Sequence, residues 1–183
     1  MNYLAHALLS PTDDTIMVGN LVGDYVRSLE GIDPGIGKGV ILHRRIDSVA
    51  NSHPAFRRSA HRLIPVMGHY ARAVLDIFYD HLLARHFTDF VPATTLDAFV
   101  DAIDRRYQGQ RQRLPPDIAT RWDDLTWLTT YAHHDGIASS LRRLSQRSRR
   151  HADLTTALPL LDEFHDALKR DLEELLPDLA KLV

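Results

Sequence analysis

The chain has 183 residues, of which 44% are hydrophobic and 25% are charged, and its formal net charge is −2. This balance is typical of a folded globular protein and argues against a disordered chain or one with a general attraction to nucleic acid. No apolar run approaches the roughly 18 residues of a membrane-spanning helix, and the opening stretch MNYLAHALLS has no basic residue ahead of its apolar segment, unlike a signal peptide. We therefore expect a cytoplasmic protein that binds neither membranes nor nucleic acid.

Apolar residues recur at three- and four-residue spacing along nearly the whole chain, and sustained period-2 alternation is missing. This pattern predicts an all-α fold, built as a compact helical bundle. In chain order, the predicted helices cover residues 2–9, 14–29, 38–51, 54 onward, 66–88, 96–108, 118–133, 136–149 and 155–180.

Two segments interrupt the helical pattern. The glycine-rich GIDPGIGKG, residues 31–39, differs in spacing from phosphate-binding loops and follows no strand, so we interpret it as a flexible connection. The second segment, RRYQGQRQRLPPD at residues 105–117, predicts a loop or a helix break. The amphipathic stretches on either side of it need each other's apolar faces, and we therefore predict one domain over residues 1–183.

Pairs of polar residues four positions apart stand on four of the predicted helices. Such residues lie about 40° apart around a helix axis, so their side chains can converge on one point. Several adjoin core-forming residues, where a buried carboxylate costs roughly several kcal/mol unless a cation or hydrogen bonds compensate its charge. Each pair alone is also explained by a surface hydrogen bond, an arginine partner or an N-cap. The pairs are Asn2 with His6, Asn20 with Asp24, His43 with Asp47, and Asp76 with Asp80.

A shared metal site would explain all four pairs together. The chain has no cysteine and 11 histidines, so any metal ligands must be imidazole nitrogens or oxygen atoms. Such a set suits Mn²⁺, Mg²⁺, Fe²⁺ or Zn²⁺, and an abundance of carboxylates favours Mn²⁺ and Mg²⁺. Arg44 and Arg45 stand between His43 and Asp47, where they would form surface ion pairs or neutralise a phosphate oxygen at the site.

The dipeptide His-Asp also occurs in HHDG, residues 133–136. We assign no chemical role to His133 and His134, because adjacent helical residues diverge by about 100°.

An uneven distribution of arginines is the other notable pattern. RRLSQRSRR, residues 142–150, holds five arginines without an acid, which indicates either a solvated helix face or a surface for an acidic partner. Arg57, Arg58 and Arg62 form a second candidate patch.

Four motifs in the first half of the chain match one known family in order and spacing: MNYLAH, GNLVGDYVR, HRRID and DIFYDHLLARHF. Together they resemble the acyl carrier protein phosphodiesterase family. The resemblance is strong over residues 1–90 and weaker towards the C-terminus, where WLTTYAHHDGIASSL is still similar. The family itself resembles HD-type metal phosphohydrolases with a rearranged order of motifs, which implies an HD-domain-like helical bundle.

The resemblance implies hydrolysis of holo-acyl carrier protein to the apo form with release of 4′-phosphopantetheine. It also implies a divalent metal, with Mn²⁺ expected and Mg²⁺ or Fe²⁺ as alternatives. The residues expected to bind this metal come from three motifs and are Asp24, His43, Asp80 and His81.

The remaining site residues are expected to act around the metal. Asp47 and Asp76 are the next candidates for metal ligation, water activation or orientation of the ligands. Arg44 or Arg45 would stabilise charge on the phosphoryl group, and His6 or His43 would protonate the departing serine oxygen. Two other functions stay open: an HD-type nucleotide phosphohydrolase, and a non-catalytic helical module that binds an acidic protein.

Overall fold

The computed structural model describes residues 1–147 and 152–183. Within these residues there are helices and no strands, which confirms the predicted all-α fold. The α-helices of the described residues are α1 Tyr3–Leu8, α2 Asp14–Val22, α3 Pro34–Ser52, α4 Pro54–Met67, α5 Ala71–Arg85, α6 Phe87–Phe90, α7 Leu96–Gln110, α8 Pro116–Ala119, α9 His134–Arg147 and α10 Leu158–Ala180. Short 3-10 segments lie at Gly23–Tyr25, Gly68–Tyr70, Arg111–Arg113, Thr126–Ala132 and Leu154–Ala157.

Helix α5 lies at the centre of the molecule. It packs against α1, α4, α9, α10 and the 3-10 segment Thr126–Ala132, so most of its surface is covered. Phe78 and Leu82 are fully buried, and each such side chain stabilises the fold by about 1.5–3 kcal/mol. Covered on several sides, α5 also buries the polar residues Asp80 and His81.

Helices α2 and α3 cross in direct backbone contact. A Cβ atom on Gly19 would lie 2.1 Å from the carbonyl oxygen of Ile36, and one on Gly39 would lie 2.1 Å from that of Ile16. The interpretation of residues 31–39 as a flexible connection was therefore wrong for most of the segment. Residues 34–39 form the first turns of α3, and the Asp33 side chain caps them by accepting the Gly35 amide at 2.8 Å.

Other helix boundaries differ from the prediction for local reasons. The helix predicted over 14–29 ends at Val22, and the one predicted over 66–88 begins at Ala71, after Gly68 takes a positive φ of 54°. The prediction of one helix over residues 118–133 was wrong. That stretch contains the end of four-residue α8 and the Thr126–Ala132 segment, with the Asp124 side chain accepting the Thr126 amide at 2.8 Å.

The predicted break at residues 105–117 also comes later than expected. Helix α7 runs through the first six of these residues and ends at Gln110. Of the helices in the two described ranges, none has the length and hydropathy to cross a membrane.

Ion pairs join α4 to the C-terminal helix α10. Arg58 and Arg62 contact the buried Asp171 carboxylate at 2.8 and 2.6 Å, and the Ser59 hydroxyl donates to it at 2.7 Å. Two of the three arginines of the second candidate patch are therefore already engaged within the protein.

Candidate functional site

Two buried histidines and one carboxylate converge between α1 and α3. His6 lies on α1, whereas His43 and Asp47 lie one turn apart on α3, and their ligand atoms are all within 4.8 Å of one another. The two imidazole rings are stacked, with centroids 3.9 Å apart. Asp47 faces both rings, because its Oδ1 atom lies 3.2 Å from His6 Nε2 and its Oδ2 atom lies 3.3 Å from His43 Nε2. We call these three residues the His–Asp cluster.

Asn20 on α2 orients both histidine rings. Its Nδ2 atom lies 2.8 Å from the carbonyl oxygens of His6 and Leu9, which assigns Oδ1 as the acceptor of a hydrogen bond from His6 Nδ1 at 3.0 Å. The backbone carbonyl of Asn20 accepts a second hydrogen bond, from His43 Nδ1, at 2.8 Å. Both Nδ1 atoms therefore carry a proton, and in a neutral imidazole each Nε2 atom then presents a lone pair.

This arrangement fits a bound cation. An imidazole lone pair and a carboxylate oxygen are both acceptors, so the contacts of 3.2 and 3.3 Å require a proton or a metal ion between them. Two imidazole nitrogens and a carboxylate are a suitable ligand set for Mn²⁺, Fe²⁺ or Zn²⁺. Hydrogen bonding of the opposite ring nitrogen to a carbonyl or amide oxygen is the usual way in which proteins orient metal-binding histidines. The cluster is therefore compatible with a divalent metal.

Two further carboxylates flank the cluster. Asp24 Oδ1 lies 3.2 Å from His43 Nε2, and the Asp24 side chain is 63% exposed. Asp76 forms an ion pair with the Met1 α-amino group, which lies 3.1 Å from its Oδ1 atom. The same amino group donates to Asp47 Oδ1 at 2.9 Å. Burial opposes its charge, but Asp76 and Asp47 raise its pKa to about 10.

The two histidines titrate differently although they share Asp47. Burial lowers the pKa of His6, and the neighbouring His43 lowers it further. Burial also opposes the charged form of His43, but hydrogen bonds to Asp24 and Asp47 raise its pKa to about 9. Asp47 is buried too, yet both histidines and the Met1 amino group hold its pKa well below its usual range. Without a metal, the added proton of the cluster therefore belongs to His43.

A cavity of about 230 Å³ opens next to the cluster, and we call it the aromatic cavity. Its lining includes Met1, Asp24 and Asp76, and the exposed residues Arg143 and Arg147 of α9 stand on its rim. Its walls are formed largely by rings, those of Tyr3, Tyr25, Trp122, Trp127 and Tyr131. Sequence periodicity gave no signal for this set, because its members come from separate helices and loops.

Comparison with known proteins identifies the family. The sequence model of the family described as "Acyl carrier protein phosphodiesterase" matches residues 1–179. The chain belongs to the acyl carrier protein phosphodiesterase family. The resemblance carried by the four motifs is thereby confirmed.

Curated relatives of this family share about a third of their residues with the chain. The acyl carrier protein phosphodiesterase of Pectobacterium atrosepticum is 31% identical over 180 residues, which cover 90% of this chain and 88% of that protein. The protein of the same name from Salmonella newport is 31% identical over 185 residues, which cover 92% of this chain and 90% of that protein. No solved structure matches the chain, so the HD-like architecture stays a prediction.

The family motif DIFYDHLLARHF contributes to the site in an unexpected way. The two Asp80 oxygens accept hydrogen bonds from the amides of Leu4 and Ala5 at 2.8 and 3.0 Å, and Asp80 thus caps the first turn of α1 from the neighbouring helix α5. Burial raises the pKa of Asp80 to about 7, even though both hydrogen bonds lower it. Asp80 therefore supports the helix that carries His6, and it lies outside the His–Asp cluster.

His81 also lies outside the cluster. Its Nδ1 atom donates to the carbonyl oxygen of Tyr131 at 2.7 Å, and its ring meets that of His134 edge-on at 5.6 Å. Both rings line a separate cavity of about 600 Å³. The ligand roles predicted for Asp80 and His81 stay predictions, because the structure does not bring either residue into the group that can hold a metal.

The other arginines and histidines that the sequence singled out are not part of the His–Asp cluster. Arg44 donates to the carbonyl oxygen of Val26 at 2.8 Å, and Arg45 is exposed, so their role at a phosphoryl group stays a prediction. Neither His133 nor His134 belongs to the His–Asp cluster. Of the arginine run 142–150, Arg149 and Arg150 lie outside the described residues.

Proposed function

We propose that this protein is a metal-dependent phosphodiesterase that hydrolyses holo-acyl carrier protein, releasing 4′-phosphopantetheine and apo-acyl carrier protein. The observation that carries the proposal is the convergence of two oriented imidazole Nε2 atoms on the Asp47 carboxylate, beside a cavity with arginines on its rim. Family membership supports the choice of substrate. In this proposal the protein acts in the cytoplasm as a single domain.

His6, His43 and Asp47 would hold the divalent cation, with Asp24 or Asp76 as a further ligand. Such a cation neutralises charge on a phosphate and makes water more acidic. Mn²⁺ or Fe²⁺ suits two imidazoles better than Mg²⁺, which prefers oxygen atoms alone, and we therefore retain Mn²⁺ as the expected metal.

The remaining residues of the cluster position the ligands and handle protons. Asn20 fixes the two imidazole rings, and Asp80 fixes the helix that carries His6. Asp24, which is the most exposed of the three carboxylates at 63%, is placed to accept a proton from the attacking water. His6 was also predicted to protonate the serine oxygen, but one Nε2 atom cannot serve as ligand and acid together. We therefore assign His6 as a ligand.

The direct test is to incubate the purified protein with holo-acyl carrier protein and Mn²⁺ and to measure the mass of the carrier. We expect the carrier to lose its prosthetic group, and an added chelator to stop the reaction. An unchanged carrier mass in the presence of metal would refute the proposal. Nucleotides are assayed in parallel, and their hydrolysis would indicate the alternative function of a nucleotide phosphohydrolase. Purified protein without stoichiometric metal would indicate a non-catalytic module.

A further inference from the structure

The aromatic cavity contains both tryptophans of the chain. Trp122 and Trp127 each meet the Tyr3 ring edge-on, with centroids 5.3 Å apart in both cases. The Tyr3 hydroxyl in turn lies 2.5 Å from that of Tyr25, whose ring also packs edge-on against Trp122. These contacts hold the rings in fixed positions, so the cavity has a preformed apolar wall.

One polar atom of this wall lacks a partner. The Trp127 Nε1 atom is buried and has no hydrogen-bond partner among the described residues. An indole nitrogen is a donor only, and buried donors are as a rule satisfied. An acceptor oxygen on a ligand in the cavity would satisfy it.

Two guanidinium groups stand on the rim of the same cavity. Arg143 and Arg147 lie one helical turn apart on α9, so they project from the same face of that helix. Neither has an ion-pair partner within residues 1–147 and 152–183. Burial opposes the charge of Arg147, but the neighbouring hydroxyls of Tyr25 and Tyr3 raise its pKa. Arg142 differs, because it lines another cavity together with Asp153.

The size of the aromatic cavity limits what it can hold. Its volume of about 230 Å³ is below the roughly 300–1,000 Å³ of pockets that enclose a drug-sized ligand. It can therefore take a phosphate and the group next to it, while a longer ligand extends past the arginine rim. A prosthetic arm attached to a carrier protein is such a ligand, because only a part of it can lie inside the cavity.

We propose that the aromatic cavity binds the phosphodiester and the adjoining pantoyl group of a phosphopantetheine arm. Arg143 and Arg147 hold phosphate oxygens, the aromatic rings contact the two methyl groups of the pantoyl unit, and the Trp127 N–H donates to an oxygen of the arm. The inference rests on the proposed function and adds the residues that recognise the prosthetic group. It also divides the arginine run: Arg143 and Arg147 bind the arm, whereas Arg142 faces elsewhere.

Intrinsic tryptophan fluorescence tests the inference directly, since both tryptophans line this cavity. The purified protein, in chelator, is titrated with 4′-phosphopantetheine, with pantetheine and with inorganic phosphate. We expect 4′-phosphopantetheine to change the fluorescence and to bind at least about tenfold more tightly than either other probe, because charge-assisted contacts and ring contacts are made together.

Matched variants of α9 locate the phosphate contact. Arg143→Gln and Arg147→Gln should each weaken binding of 4′-phosphopantetheine by about three- to tenfold and leave binding of pantetheine unchanged. Arg142→Gln on the same helix is the control and should change neither. Trp127→Phe keeps a ring but removes the N–H, and calorimetry should show weaker binding of both pantetheine compounds. Circular dichroism checks that each variant is folded.

Each contrary result has a distinct meaning. Equal affinities for 4′-phosphopantetheine and pantetheine, or an Arg142→Gln effect as large as the other two, would overturn the arginine assignment. If inorganic phosphate binds as tightly as 4′-phosphopantetheine, the cavity is a simple anion site and does not recognise the pantoyl group, which overturns the inference. Because the titration needs no turnover, specific binding without hydrolysis of holo-carrier refutes the proposed function alone. Hydrolysis without the expected binding refutes this inference alone.

Discussion

Within residues 1–147 and 152–183, two regions are rich in histidine, and one of the two has the geometry of a metal site. In the His–Asp cluster, both Nδ1 protons are directed to Asn20 and both Nε2 atoms face Asp47, whose side chain is 29% exposed. The larger cavity is lined by four histidines, namely His81, His86, His134 and His165. There the Nε2 atoms of His86 and His165 face each other at 3.1 Å, so one of them must donate to the other.

The carboxylates differ between the two regions as well. In the larger cavity, Asp162 and Asp166 contact single histidines, and their side chains are 68% and 85% exposed. Water screens such contacts, and they contribute little. The geometry of a metal site thus depends on imidazole lone pairs that are oriented towards a shared, partly buried carboxylate. The number of histidines in a region does not by itself indicate such a site. The following predictions test this distinction, from the largest expected effect to the smallest.

Replacing Asp47 with Asn should lower metal-dependent turnover about 10²-fold or more, because the shared ligand loses its charge. His165→Gln, in the larger cavity, is the matched control and should leave turnover within about threefold. Metal content and turnover are measured on the same preparations. Equal losses in the two variants would show that the larger cavity takes part in the chemistry.

Replacing Asp80 with Ala should destabilise the fold by about 2–5 kcal/mol, because the buried amides of Leu4 and Ala5 lose their acceptors. Asp80→Asn retains one acceptor and should cost less. The free energy of unfolding from denaturant titration measures both effects. If Asp80→Asn keeps its stability but purifies without metal, Asp80 is a ligand, as the family motif implied, and its capping role is secondary.

The stability of the metal-free protein should fall as the pH rises from about 6.5 to 9. The pKa of His43 is raised in the folded state from 6.5 to about 9, so its contribution is fully present below pH 6.5 and is lost as the pH passes through 9. Unfolding in chelator at several pH values measures this, and His43→Gln should remove the dependence between pH 6.5 and 8, leaving the contribution of the Met1 amino group above pH 8. An unchanged profile in that variant would assign the titration to another group.

Replacing both His133 and His134 with Ala should leave turnover within about threefold, since neither belongs to the His–Asp cluster. A loss of activity without unfolding would place chemistry at the larger cavity, which His134 lines.

The sequence predicted the parts of the site that depend on local spacing. Residues four apart on a helix share a face, and the pair His43 and Asp47 does face one point in the structure. The cap provided by Asp80 could not be predicted, because it joins residues 75 or 76 positions apart in the chain. The segment 31–39 was misread for a related reason. Its glycines were taken as a sign of flexibility, whereas their purpose is visible only once α2 lies against α3.

The fold class could be predicted because helical periodicity is repeated along the whole chain. The helix expected over 118–133 was not found, since Asp124 directs its local hydrogen bonds into a turn. The aromatic cavity was also missed, because rings from α1, the segment Gly23–Tyr25 and residues 122–131 meet only in three dimensions.

The close crossing of α2 and α3 has a consequence for variation in this protein. A Cβ atom on Gly23 would lie 2.3 Å from His43 Cγ, and those on Gly19 and Gly39 would meet the backbone of the partner helix at 2.1 Å. A methyl group at any of these positions must move Asn20 and His43 relative to each other, which would misalign the imidazole that Asn20 orients. In a saturation screen for lost activity, substitutions at Gly19, Gly23 and Gly39 should therefore be as damaging as substitutions at His43, although these three residues have no side chain.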